Sequence, residues 1–177
     1  SPVMQSVKKR LGWTVFNLGT AFFAALVIGV FERTIDELVA LAIFMPVVAG
    51  LGGNSGSQSL TVVVRGIALG ELEFSSGLRA VMKETAVGLL VGTVAGLLTA
   101  GIVILWKGDE WLGLVLFLSM LMNMALGALV GASIPLLLKA FKLDPALGSH
   151  IIVTAFTDSF GFFSFLGLAT LMFSLLG

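Results

Sequence analysis

The sequence predicts an all-α, polytopic membrane protein with five transmembrane helices. Three observations carry that expectation. Hydrophobic residues make up 58% of the 177-residue chain, and its mean hydropathy is +1.10. Charged residues contribute only 11%, against about 25% in a soluble domain. The charges also leave five long uncharged runs, and a bilayer core needs about 20 predominantly apolar residues per helix.

The first run, Leu11–Phe31, follows Lys8, Lys9 and Arg10. It is too long for a signal-peptide core and lacks a small-residue cleavage site, so a retained helix is expected. The second run, Leu38–Val64, contains Pro46, and the fourth, Trp111–Leu138, contains Pro135. Either proline can bend its helix. The third run is Thr85–Trp106, and the fifth, Pro145–Gly177, is broken only by Asp158. The predicted spans are 11–32, 38–66, 80–106, 111–140 and 146–176. Runs two, four and five exceed the minimum and are expected to tilt, bend or emerge from the membrane. The chain starts at Ser1 rather than Met, which points to processing or to a piece of a longer protein.

Loop charges separate by side. Lys8, Lys9, Arg10, Arg65, Arg79, Lys83, Lys139 and Lys142 fall on one side, and Arg33 and Lys107 on the other. Eight of the ten basic residues therefore share a side, which the positive-inside rule assigns to the cytoplasm. A multi-pass cell-membrane protein with a cytoplasmic N-terminus and an extracytoplasmic C-terminus is expected. Trp13, Trp106 and Trp111 sit near span ends, as interfacial anchors do. Glu32, Asp36, Glu37, Asp109 and Glu110 make the opposite loops acidic. Those loops either concentrate cations at a pore mouth or are simply solvated.

Composition excludes several classes. Net charge is zero, so no nucleic-acid partner is indicated. With no cysteine and one histidine, His150, cysteine chemistry is excluded and a His-rich zinc site or a Ser-His-Asp triad has little to draw on. No paired acids, zincin motif or nucleophile–base set appears, so an enzyme is not expected.

Asp158 is the most informative residue. It is the only acid after Pro145. A carboxylate near a helix centre in a bilayer costs roughly 2.5–3.5 kcal/mol on insertion scales. It is tolerated where it faces water, a cation or a proton path. Thr154 lies one turn before it, and Thr157 and Ser159 flank it. Calcium takes six to eight oxygens, whereas magnesium keeps several waters and needs one or two carboxylates. A lone Asp fits hydrated magnesium better than dehydrated calcium.

The second span carries Gly50-Leu51-Gly52-Gly53-Asn54-Ser55-Gly56-Ser57-Gln58-Ser59. Its amides and hydroxyls must face protein or water. Two readings stand: a pore wall offering oxygens to a hydrated ion, and polar glue between packed helices. The candidate lining positions are Gly53, Asn54, Ser55, Gln58 and Thr157. The stripes Gly88/Gly92/Gly96 and Gly127/Gly131 read as packing faces, and Asn123 as a helix–helix hydrogen bond. Glu84 opens the third span beside Lys83 and reads as an interfacial or locally paired acid. Five helices do not divide into two matching halves. A two-fold homodimer would bring two copies of Asp158 and two polar helices toward one axis, where a cation between the carboxylates relieves their repulsion. A homodimeric pore is therefore expected.

The chain resembles the membrane domain of MgtE-type magnesium channels, related to solute carrier family 41. The resemblance rests on Pro46-Val47-Val48-Ala49-Gly50-Leu51-Gly52-Gly53-Asn54-Ser55-Gly56-Ser57-Gln58 and on Thr154-x-x-Thr157-Asp158-x-x-Gly161. Val64-Arg65-Gly66, Gly70-Glu71, Lys83-Glu84 and Asp144-Pro145-Ala146 extend it. It implies a homodimer lined by spans two and five. It implies hydrated Mg2+ at Asp158 with the Thr154 backbone oxygen nearby, Asn54 on the path, and Glu84 near the cytoplasmic mouth. Two departures stand out. His150-Ile151 replaces the family's frequent Gly-Pro, and the cytosolic sensor domains that the family links to this region are absent from the chain. The expected function is magnesium-selective conduction into the cytoplasm. The alternatives are a coupled transporter or exchanger of divalent cations, and a non-conducting membrane scaffold.

Overall fold

A computed structural model describes residues 2–146 and 148–176, without the side chains of Pro2 and Phe74. Among the described residues all regular structure is helical: α1 Pro2–Val30, α2 Glu32–Glu37, α3 Ala40–Ala68, α4 Phe74–Lys107, α5 Glu110–Ala140 and α6 Ser149–Leu176. The five long helices are long and apolar enough to cross a membrane. The chain is thus an all-α polytopic membrane protein. α1 begins nine residues before the predicted span and α4 six residues before. Both extensions mix apolar residues with serine and basic residues, so a search for uncharged apolar runs misses them. Helix α2 lies in a stretch read as an acidic loop. Its Arg33–Glu37 ion pair, 3.1 Å long, spans one turn, and Thr34 hydrogen-bonds Thr170 of α6 at 2.8 Å.

Local signals set the helix ends. A capping box of Glu73 and Ser76 opens α4. Gly108, at φ +68°, closes it in the left-handed region that glycine adopts without a Cβ penalty. Asp109 then caps α5 by accepting a hydrogen bond from the Leu112 amide at 2.9 Å. α4 and α5 therefore form a helical hairpin with a two-residue turn. Helices α3 and α5 continue through Pro46 and Pro135.

Helix α5 is the axis of the bundle, packed by α3, α4 and α6. Small residues let these backbones touch. A Cβ on Gly88 would stand 2.6 Å from the Ala128 Cβ, and one on Gly96 would stand 2.9 Å from Phe117. Across α3 and α5, Cβ atoms on Gly127 and Gly131 would collide with the Gly52 and Gly56 carbonyls. Such backbone contact substitutes for the hydrophobic drive that lipid does not supply between helices. Leu41, Phe44, Val48, Leu116, Met120 and Phe165 form the apolar core toward the other end. Among the described residues, helix α1 docks only on α6 and α2 and is otherwise surface.

Candidate cation pathway

The polar stretch of α3 divides between two faces. Gly52, Ser55, Gly56 and Ser59 are buried, whereas Asn54, Gln58 and Thr61 are exposed and Gly53 and Ser57 half-buried. The division follows helical geometry, since residues four apart share a face. Ser55 donates a hydrogen bond to the Met124 carbonyl at 2.8 Å, which commits its hydroxyl to the α3–α5 contact. Asn54, Ser57, Gln58, Thr61 and Val62 line an open concavity of about 430 Å³ on the outer surface of the bundle. Asn54 is the fifteenth and Val62 the twenty-third of the 29 residues of α3, so the concavity runs from the middle of the helix toward its C-terminal end.

Helix α6 meets α3 beside this face. A Cβ on Gly53 would stand 3.6 Å from Thr157 Oγ1, and one on Gly56 would collide with Val153. Thr157 is fully buried. Its hydroxyl donates to the carbonyls of Val153 at 3.1 Å and Thr154 at 3.2 Å. Asp158, the next residue, is half-buried. Among the described residues, the side chains of Asp158, Asn54 and Gln58 make no hydrogen bond, so their polar atoms are free for water or a hydrated ion. The Thr154 carbonyl already serves the Thr157 hydroxyl, and Thr154 Oγ1 lies 3.5 Å from His150 Nδ1.

Asn123 organises the junction of α3, α5 and α6. It is fully buried, and its Nδ2 donates to the Val48 carbonyl at 2.9 Å. Both motif glycines open onto it. A Cβ on Gly52 would stand 2.6 Å from Asn123 Cγ, and one on Gly161 would stand 2.6 Å from Nδ2. The sequence signals Asn123 as an interhelical donor but not the two glycines that make room for it. Their offset of one turn from Gly56 and Thr157 is the available clue.

Glu84 lies apart from Asp158. It is buried, eleven residues into α4, and its Oε2 accepts a hydrogen bond from Ser59 Oγ at 3.0 Å. Among the described residues, α4 packs on α5 and touches α3, with no packing on α6. The sequence offers Glu84 as an acid but gives no sign of Ser59 as its donor. Among the described residues no group of three or more His, Cys, Asp or Glu side chains gathers. Asp158 is the only carboxylate carried by α3 and α6 themselves.

The MgtE family model, described as a divalent cation transporter, matches residues 45–168. The chain belongs to the MgtE family. It is 34% identical over 162 residues to the magnesium transporter MgtE of Bacillus subtilis, covering 92% of this chain and 36% of that protein. It is also 34% identical over 163 residues to the magnesium transporter MgtE of Thermus thermophilus, covering 92% and 36%. With the magnesium transporter MgtE of Enterococcus faecalis it shares 32% over 155 residues, covering 88% and 34%. The chain thus spans about a third of the length of these curated relatives. The stretch matched to the MgtE family runs from Met45 in α3 into α6, and so contains both the α3 concavity and Asp158.

Proposed function

We propose that this chain is the conducting domain of a magnesium channel and works as a homodimer. The observation that carries the reading is the polar concavity on the outside of α3, which begins at mid-helix and runs toward the C-terminal end. Facing hydrocarbon, the amides of Asn54 and Gln58 would each be left without a partner at a cost of several kcal/mol. A second protomer related by a two-fold axis removes that cost by enclosing a wet path between two α3 and two α6 helices. Asp158, one residue from the Gly53–Thr157 contact, is the cation site. Gly53, Asn54, Gln58 and the turn from Thr154 to Thr157 contribute its surroundings.

The donor set favours a hydrated ion. Two carboxylates from two protomers balance one divalent cation, and each disfavours ionisation of the other until the cation is present. Magnesium keeps most of its waters in such a site, so amides and hydroxyls at water-bridging distance suffice. The relatives named as magnesium transporters support the choice of ion. The basic loops orient the N-terminus to the cytoplasm. A divalent ion entering across 100 mV then gains about 4.6 kcal/mol, twice the single-charge value. The relatives' greater length leaves room for linked cytosolic sensor domains.

The test is magnesium influx into proteoliposomes under an imposed inside-negative potential, with no proton or sodium gradient. Asp158→Ala and Asp158→Asn are compared with the parent chain, and the dimer is verified in each. Potential-driven influx that both substitutions abolish is the expected result. Equal influx in parent and variants removes Asp158 from the path. Influx that requires a pH gradient turns the reading to coupled transport.

A further inference from the structure

The polybasic end of α1 is not used by the cation path. Lys9, Arg10, Trp13, Thr14 and Asn17 of α1, with Ile151 of α6, line an open groove of about 690 Å³. We propose that this groove binds the headgroup of an anionic phospholipid.

Its depth in the membrane fits. At 1.5 Å per residue, the 20 residues from Leu11 to Val30 span about 30 Å, the thickness of the hydrocarbon core. Lys9 and Arg10 therefore stand at headgroup level, and Trp13 lies at the boundary, where indoles anchor. Below them, Val15, Phe16, Leu18, Phe22 and Phe23 are exposed and offer an acyl chain an apolar surface.

Its charge is uncompensated. The Arg33–Glu37 pair is the only ion pair among the described residues. Lys8, Lys9 and Arg10 therefore have no carboxylate partner there. No acid occurs in α1. Asp144, in the loop leading to α6, accepts from the Ala146 amide at 3.0 Å and forms no ion pair with these residues among the described residues. A phosphodiester would supply the missing negative charge and accept from Lys9 and Arg10; the Thr14 hydroxyl already donates to the Arg10 carbonyl at 2.9 Å.

Its wall is fixed. The Trp13 ring packs directly on Gly148, where any Cβ would collide with it, and meets Phe16 edge-on at 6.1 Å. Gly148 sits at φ +68°, and α6 begins at the next residue. The indole thus ties α1 to the start of the helix that carries Asp158, and a bound headgroup would bridge α1 at that tie.

Trp13 is also the reporter. In the full chain carrying Trp106→Phe and Trp111→Phe, quenching of Trp13 is measured in vesicles of phosphatidylcholine with increasing phosphatidylglycerol. Either the phosphatidylcholine or the phosphatidylglycerol is brominated. A basic residue near an anionic surface favours binding by about fivefold, so two set a ceiling of about thirtyfold. We expect brominated phosphatidylglycerol to be preferred at least about fivefold. The preference should collapse toward unity in Lys9→Gln/Arg10→Gln and weaken at high salt. Arg79→Gln/Lys142→Gln removes the same charge at the same end of the bundle and should keep the preference. Equal quenching by both lipids in the parent overturns the proposal, leaving ordinary boundary lipid. Equal loss in both double variants also overturns it, because diffuse charge rather than the groove would then be responsible.

Discussion

Gly161→Ala, compared with Asn123→Ala, tests whether the motif glycines exist to house a buried amide. A methyl at position 161 would stand 2.6 Å from Asn123 Nδ2, 3.2 Å from Cγ and 3.4 Å from Oδ1. Ordinary contact begins near 3.4 Å. The amide has little room to retreat, because a Cβ on Gly52 of α3 would stand 2.6 Å from the same Cγ. Overpacking of this kind costs about 1–3 kcal/mol. Breaking the bond to the Val48 carbonyl adds about 0.6 kcal/mol, the average inside a membrane bundle. We expect Gly161→Ala to destabilise by about 2–3 kcal/mol. Asn123→Ala loses the bond and some packing, about 1–2 kcal/mol. In the double variant the methyl enters the space the amide has left. Its cost should match Asn123→Ala alone, a favourable coupling of about 2–3 kcal/mol. Equilibrium unfolding by sodium dodecyl sulfate in mixed micelles measures all four proteins. Costs that add within about 0.5 kcal/mol would show that the two residues do not share a space, and the account of Gly161 would fail.

Other substitutions separate other parts of the structure. Ser59→Ala removes the hydroxyl that donates to buried Glu84 and should cost about 1–3 kcal/mol in the same titration; Ser59→Thr, which keeps a hydroxyl, should cost less than half as much. Gly108 and Gly148 both sit at φ +68°, but only a Cβ on Gly148 meets a neighbour, the Trp13 ring. Gly108→Ala should therefore cost only the conformational penalty, about 1 kcal/mol, while Gly148→Ala should cost more and shift Trp13 fluorescence. Equal costs with unchanged fluorescence would contradict the Trp13–Gly148 contact. Asn54→Leu/Gln58→Leu should leave the unfolding midpoint within error and lower magnesium influx about tenfold or more, because polar lining is what a hydrated ion meets. Full influx in that variant would take the α3 concavity out of the path.

The membrane fold was legible because hydropathy is a property of residues taken nearly one at a time. Five uncharged runs need no knowledge of partners, and their flanking charges bound them. What escaped depends on partners. Helix α2 reads as a charged loop until Thr170 is known to receive Thr34. Ser59 is one serine among three until Glu84 is placed against it. The glycine stripes announced close packing, but the pairing of Gly52 and Gly56 with Gly127 and Gly131 is a long-range fact that spacing alone does not contain.

The polar run of α3 shows where a sharper reading was available. Taken as a block, Asn54, Ser55 and Gln58 all look like lining. Taken at 100° per residue, Asn54 and Gln58 share one face with Thr61, while Ser55 joins Gly52, Gly56 and Ser59 on another. The second set is the small-residue face, and small residues mark close helix packing in a membrane. A serine in phase with those glycines is placed to bond across the contact, as Ser55 does to Met124 and Ser59 to Glu84. An amide out of phase with them cannot reach that contact and has to look outward. The same division applies on α6, where Val153, Thr157 and Gly161 are in phase and buried, and Asp158 is one step out of phase and half-buried. On both helices the polar side chains proposed for the cation path therefore lie next to the packing face. That placement lets a rigid backbone contact hold a polar side chain at the edge of the contact.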